Sequence, residues 1–150
     1  MENVNIYIET TAKGPREQMG AYLYIVEWIK EQRIPETVGG FCFQAGTENK
    51  MVLGALLRAL GRIEEPASIR IFTHCGHVVN SLRNHWPVQW HKNGWLNAKG
   101  KPLKNAEMWE KVLQAIEPHI YTVTEQSHSY QEWMRYELDR RIKERRKNVV

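Results

Sequence analysis

Along Asn3 to Thr10 polar and apolar residues alternate, so that Val4, Ile6 and Ile8 share one face. A period of two of this kind suits a β-strand with one buried side, and Glu9 emerges at its C-terminal end. Such a strand needs sheet partners, and two β-rich runs follow at short spacing. The loop Thr11 to Pro15 turns the chain into Gly20 to Ile29, rich in Tyr, Leu, Ile and Val, for which a helix competes because of its length and its Glu27-Trp28-Ile29-Lys30 end. Val38 to Ala45 supplies the third run, and three strands joined by short turns form a meander.

Beyond Ala45 the period changes. Thr47 can cap a helix carrying Met51, Leu53, Leu56, Leu57 and Leu60 at helical spacing, ending near Gly61. Ser68 to Thr73 reads as a short buried strand and Gly76 to Arg83 as a helix. A Trp-containing segment follows, in which Pro87 and the Gly94 and Gly100 turns are expected to break up structure. Asn105 to Ile116 is amphipathic, Ile120 to Thr124 a strand, and Tyr130 to about Lys147 a terminal helix. The expected class is α/β: a five-stranded mixed sheet, three strands antiparallel and two parallel, flanked by helices. With no linker or repeat in view, residues 1–150 read as a single domain.

Two cysteines, Cys42 and Cys75, are too few and too scattered for a disulfide framework, which suits a reducing, cytoplasmic setting. No window approaches the roughly 18 apolar residues of a membrane span, so the expectation is a soluble chain with no membrane partner. The net charge of +4 is mild, but its distribution is uneven. Arg83, Lys92, Lys99, Lys101 and Lys104 lie in a stretch without Asp or Glu that also holds Trp86, Trp90 and Trp95. A second basic concentration is the tail from Arg140 to Lys147, where i,i+4 pairs such as Asp139 with Lys143 read most simply as a solvated helix face.

Several strings, in this order, resemble the ribonuclease H type 1 family. Thr47-Glu48-Asn49-Lys50-Met51 is similar to the Thr-x-Asn-x-Met string that opens the family's first long helix. Trp90-His91-Lys92-Asn93-Gly94-Trp95, Lys99-Gly100-Lys101-Pro102-Leu103-Lys104-Asn105 and Met108-Trp109 resemble the basic protrusion of the bacterial enzymes. The likeness runs from Asn3 to about Leu138 and implies a ribonuclease H-like fold with a basic helical protrusion. It also implies a paired Mg²⁺ site built from four carboxylates: two ions about 4 Å apart clamp the attacking and leaving oxygens of a phosphodiester.

The departures from that pattern decide the functional reading. Glu9 holds the first-strand acid position, Val52 the helix position, His74 the fourth-strand position and Arg135 the last-helix position. One acid remains of four, and the loop Gln126 to Ser129 is short enough that the family's assisting histidine is expected to be missing. Acids one turn away, Glu48 on the first long helix and Glu132 or Asp139 on the last, could combine with Glu9 and His74 into a rebuilt carboxylate and imidazole site suited to Mn²⁺, Zn²⁺ or Fe²⁺ better than Mg²⁺. The simpler reading is a dead pocket in which the charge of Arg135 replaces that of the metals. An HxxH pair, His74 with His77, and a nucleophilic Cys75 are weaker readings, since no further ligand or oxyanion arrangement accompanies them.

For binding, the resemblance places Trp86 and Trp90 on the groove that holds the DNA strand, with Lys92, Lys99, Lys101 and Lys104 supplying charge. Thr47 and Asn49 stand at a helix N-terminus suited to a phosphate, while Trp95 and Trp109 read as core. Three functions stay open. The favoured one is a binder of RNA/DNA hybrid or duplex, with hydrolysis lost or greatly weakened and no cofactor needed, open to protein partners in a larger nucleic-acid-processing complex. The alternatives are an active Mg- or Mn-dependent endoribonuclease working through Glu9, Glu48, His74 and Glu132, and a protein-interaction scaffold that keeps only the fold.

Overall fold

The computed structural model of the protein describes residues 1–147. Strands β1 (Glu2–Thr10), β2 (Gln18–Ile29) and β3 (Glu36–Gly46) form the antiparallel meander. Strands β4 (Ala67–Phe72) and β5 (Ile120–Thr124) join in parallel, giving the order β3-β2-β1-β4-β5. This is the expected mixed sheet, with the three meander strands each beginning earlier than alternation alone marks. The ambiguous run resolves as β2, with both of its faces buried: Ala21, Leu23 and Ile25 on one side, Tyr22, Tyr24 and Val26 on the other. By periodicity such a run fits a buried helix as well as a buried strand, and ladder pairing with both β1 and β3 decides it. Glycine matters at Gly40 of β3, where a Cβ would collide with the Tyr24 ring packed across it.

Helix α1 (Glu48–Leu60) starts at Thr47, whose hydroxyl accepts from the Lys50 N–H at 3.2 Å. It buries Met51, Leu53 and Leu56 against Ile6, Ile8, Ile69 and Ile71, and α2 (Gly76–Arg83) and α4 (Ala106–Ile116) complete that layer. On the opposite face, α5 (Gln131–Lys147) lays Met134 and Leu138 over Tyr7, Leu23, Ile25 and Phe72. Burying each such side chain contributes about 1.5–3 kcal/mol, so both faces of the sheet anchor the strand ends that carry the site.

Two expectations for the Trp segment fail. The Trp segment is not broken at Pro87; Trp86–Lys92 forms a helix, α3, with the proline in its first turn. There the missing N–H costs no intrahelical bond, and His85 turns the chain into it at φ 55°. The protrusion continues through a loop closed by a Leu96–Pro102 bridge and returns at Asn105, itself at φ 59°. Trp109 is fully buried under it, whereas Trp95, expected in the core, is only half-buried at its edge.

Candidate functional site

Because β1 and β4 run parallel, their C-terminal ends emerge side by side and set Glu9 next to the Thr73–His74 turn. α5 crosses the same end from the face that Glu9 points to. Arg135 Nε donates to Glu9 Oε1 at 2.8 Å, and the carboxylate is 7% exposed, so its charge is balanced inside the protein. Gln131 links the remaining groups. With its amide oxygen turned toward these donors, it accepts from His74 Nε2 at 3.2 Å and from the Arg135 guanidinium at 3.1 Å, and its nitrogen donates to Ser127 Oγ at 3.2 Å. Three positions that the family resemblance assigns to acids, Glu9, His74 and Arg135, are thereby joined in one hydrogen-bonded chain. The fourth, Val52, is 1% exposed and belongs to the core.

Glu9, Glu48 and His74 line a common cleft with Lys13, but its volume is about 10 Å³, space for roughly one water. Glu48 is already committed: its Oε1 accepts from the Gly14 N–H at 2.9 Å, tying α1 to the β1–β2 loop. Glu132 is exposed on α5 and does not line this cleft, and Asp139 pairs with Lys143 at 2.9 Å. Among the described residues no three His, Cys, Asp or Glu side chains converge closely enough to hold a metal ion. A pair of Mg²⁺ does not fit the groups gathered here: a guanidinium occupies the buried Glu9 carboxylate, and two of the other positions that the resemblance assigns to acids hold an apolar side chain and an imidazole in place of hard oxygen ligands.

The shortened loop does carry a histidine. His128 packs its ring on Tyr7 and Phe72, accepts from the Tyr130 N–H through Nδ1 at 3.2 Å, and buries Nε2 without a partner. Desolvation, together with the charges of His74 and Arg135, pushes its pKa down to about 4. The ring is held as a neutral packing element.

A larger cleft of about 420 Å³ opens between the α1 N-terminus and the protrusion. Thr47, Asn49, Trp90, Lys101 and Lys104 of the sequence-derived candidates line it, joined by His77 and Asn105. Trp86, 37% exposed, extends the aromatic wall from Trp90 at 6.3 Å between ring centroids, and Trp109 supports Trp90 edge-on at 5.5 Å. Lys92 and Lys99 are exposed on the protrusion but do not line the cleft. His77 is in this cleft while His74 is in the other, so the HxxH pair is divided, and the His77 ring stacks on Trp90 at 6.3 Å. Cys75 is buried, its thiol pushed up to about 11 by desolvation, and it donates to Asn49 Oδ1 at 3.1 Å. Asn49 is left with its two amide hydrogens for the cleft. Gln131 escapes the sequence reading, since only the packing of α5 brings it to His74, whereas His77, read there only as half of an HxxH pair, is set against Trp90 by the packing of α2 on α3.

A family model described as RNase H matches residues 1–129. The chain belongs to the RNase H family. The Ribonuclease H of Clostridium botulinum (strain Hall) is 30% identical over 121 residues, 79% of this chain and 78% of that one. Among solved structures, the crystal structure of LC9-RNase H1, a type 1 RNase H with the type 2 active-site motif, superposes with a TM-score of 0.70 at 19% identity, covering 90% of this chain and 69% of that one. The foamy viral protease-reverse transcriptase in complex with RNA/DNA hybrid matches with a TM-score of 0.64 at 16% identity, over 87% of this chain and 18% of that one. These two likenesses concern the fold. In this RNase H chain the matched segment ends just before α5, the helix that carries Arg135. No described helix is long and apolar enough to cross a membrane.

Proposed function

We propose that this RNase H domain binds RNA/DNA hybrid or duplex in the cleft between the α1 N-terminus and the protrusion, and that two-metal phosphodiester hydrolysis is lost or greatly weakened in it. The Arg135–Glu9 ion pair carries the reading. A metal ion would have to displace a guanidinium from a buried carboxylate, and neither Val52 nor His74 offers an anionic oxygen in return. The binding half is supported by the cleft's aromatic wall and lysines, and by the hybrid bound to the foamy viral relative in fold. Free Cys42 and Cys75 favour the cytoplasm as its setting.

A labelled hybrid incubated with Mg²⁺ and Mn²⁺ in turn tests both halves. The expected result is binding that persists in chelator, with cleavage absent or orders of magnitude below that of an active family member. Robust cleavage abolished by Glu9→Gln would overturn it. One observation favours a rebuilt nuclease: Glu9, Glu48 and His74 do share a cleft. That reading requires a divalent-dependent rise in melting temperature, which the proposal expects to be absent.

A further inference from the structure

The basic tail of α5 takes no part in either cleft, yet the helix face it extends is not an ordinary solvated one. Trp133 and Tyr136 lie three residues apart on its outer side and are 50% and 66% exposed. Neither of these two large aromatic rings belongs to the core on either side of the sheet, so both display much of their surface to solvent. Arg140 and Lys147 follow on the same side at helical spacing, so the aromatics open a row that continues in cations.

The charge balance of this end is one-sided. From Arg140 to Lys147 there are six cations and one acid. Arg140 is tied to Glu137 and Glu144, Arg141 to Glu137 and Lys143 to Asp139, but Arg145, Arg146 and Lys147 have no acidic partner among the described residues. At the inner margin Arg141 and Arg145 stack over Phe41 and Phe43 of β3 at 5.3 and 5.0 Å, which fixes those guanidinium groups at the surface.

The sheet register sets this surface beside the site. Glu9 pairs with Leu23, and Leu23 with Phe41, so Phe41 lies two strands, about 10 Å, from Glu9. α5 therefore leads from Arg135 at the sheet end out to the β3 edge. Exposed rings interleaved with fixed and free cations suit a flexible chain of phosphates with bases free to stack, which is a single strand and not a duplex with its bases enclosed.

We infer that the outer face of α5, Trp133 and Tyr136 with the cations from Arg140 to Lys147, is a second nucleic-acid surface that holds a single strand flanking the hybrid. Its occupant is distinct from that of the cleft, so the two can be tested apart. Affinity is measured with the full chain for a blunt hybrid, for the same hybrid with a dT overhang of about 10 nucleotides, and for free oligo(dT). The overhang is expected to tighten binding at least about tenfold. Trp133→Ala with Tyr136→Ala should remove that gain and leave the blunt hybrid unchanged, while Trp133→Phe with Tyr136→Phe should keep most of it. Arg146→Glu with Lys147→Glu should flatten the salt dependence of oligo(dT) binding. An overhang without effect, a gain that survives the double alanine variant, or equal displacement of oligo(dT) by polyglutamate would overturn the inference. Loss of blunt-hybrid binding alone would count against the function proposed for the cleft and leave the oligo(dT) result to stand.

Discussion

The sheet end around Glu9 and the cleft beside the protrusion lie on either side of α1, and they treat their polar groups in opposite ways. At the sheet end, Glu9, Arg135, Gln131 and His74 are linked by hydrogen bonds, and one oxygen of Glu48 accepts from the β1–β2 loop. In the cleft, Lys101 and Lys104, like Lys92 and Lys99 nearby, have no ion pair among the described residues, and Asn49 is fastened only through its oxygen. A site whose charges are balanced internally offers little to a ligand, whereas one whose donors are displayed without partners gains by meeting a phosphate. The fold supports both arrangements because neither is needed to close the core.

The largest effect expected concerns how the cleft is held. Trp109→Ala removes a ring that is 1% exposed beneath Trp90 and should cost about 3–5 kcal/mol in denaturant unfolding. Trp86→Ala, at a position 37% exposed, should cost clearly less stability than Trp109→Ala yet weaken hybrid binding. If the two variants were equally destabilised, the distinction between supporting and displayed aromatics would fail.

That distinction shows where sequence reading stops. Alternation marks β1 through Val4, Ile6 and Ile8, although α5 also buries Tyr7 on its other face; β2, apolar on both faces, shows no such period and stays ambiguous. Pro87 read as a breaker because its effect depends on where a helix begins, which no local pattern around Trp86 reveals. The family resemblance assigns occupants to the four acid positions from short strings such as Thr47 to Met51. Their interactions could not be read that way, since Gln131 reaches His74 only once α5 has packed over Tyr7 and Phe72. Nor could exposure: no local pattern sets Trp133 and Tyr136 on the outer face until α5 docks through Met134 and Leu138.

At the sheet end, Arg135→Ala tests whether internal balance matters. It leaves Glu9 buried without its cation, and the expected loss is about 1–3 kcal/mol, above the fraction of a kcal/mol typical of an exposed pair because the carboxylate is secluded even though the arginine is not. Adding Glu9→Gln should recover part of it, as a neutral amide needs no counter-charge. Lys101→Glu should leave stability nearly unchanged and lower hybrid affinity. A neutral Arg135→Ala would mean that the network at the sheet end is incidental, and the contrast with the cleft would weaken accordingly.

Acid separates the two regions by a smaller margin. His128 has its pKa depressed to about 4 by burial, with help from His74 and Arg135, against about 6.5 in an unfolded chain. Above pH 6.5 it is neutral in both states and costs nothing. As the pH falls from about 6.5 toward 4, the unfolded chain takes up a proton that the folded one refuses, so stability declines through that window. The ceiling is about 1.4 kcal/mol per pH unit, reduced by solvent at a partly exposed ring. Glu27 acts in the same direction at lower pH. Burial works against its charge, but hydrogen bonds from Tyr130, Tyr7 and Asn5 hold it below the usual range, and that contribution disappears when it is protonated. Replacing His128 by Phe keeps the ring between Tyr7 and Phe72 and removes the orphaned Nε2. Urea unfolding of His128→Phe at pH 7, 5.5 and 4.5 should show a shallower loss than the parent chain. His77→Phe in the cleft should change the slope less, because the His77 ring stands exposed against Trp90, and desolvation lowers its pKa without the neighbouring positive charges that act on His128. An equal slope in all three proteins would place the acid sensitivity elsewhere and remove pH as a way to tell the closed sheet end from the open cleft.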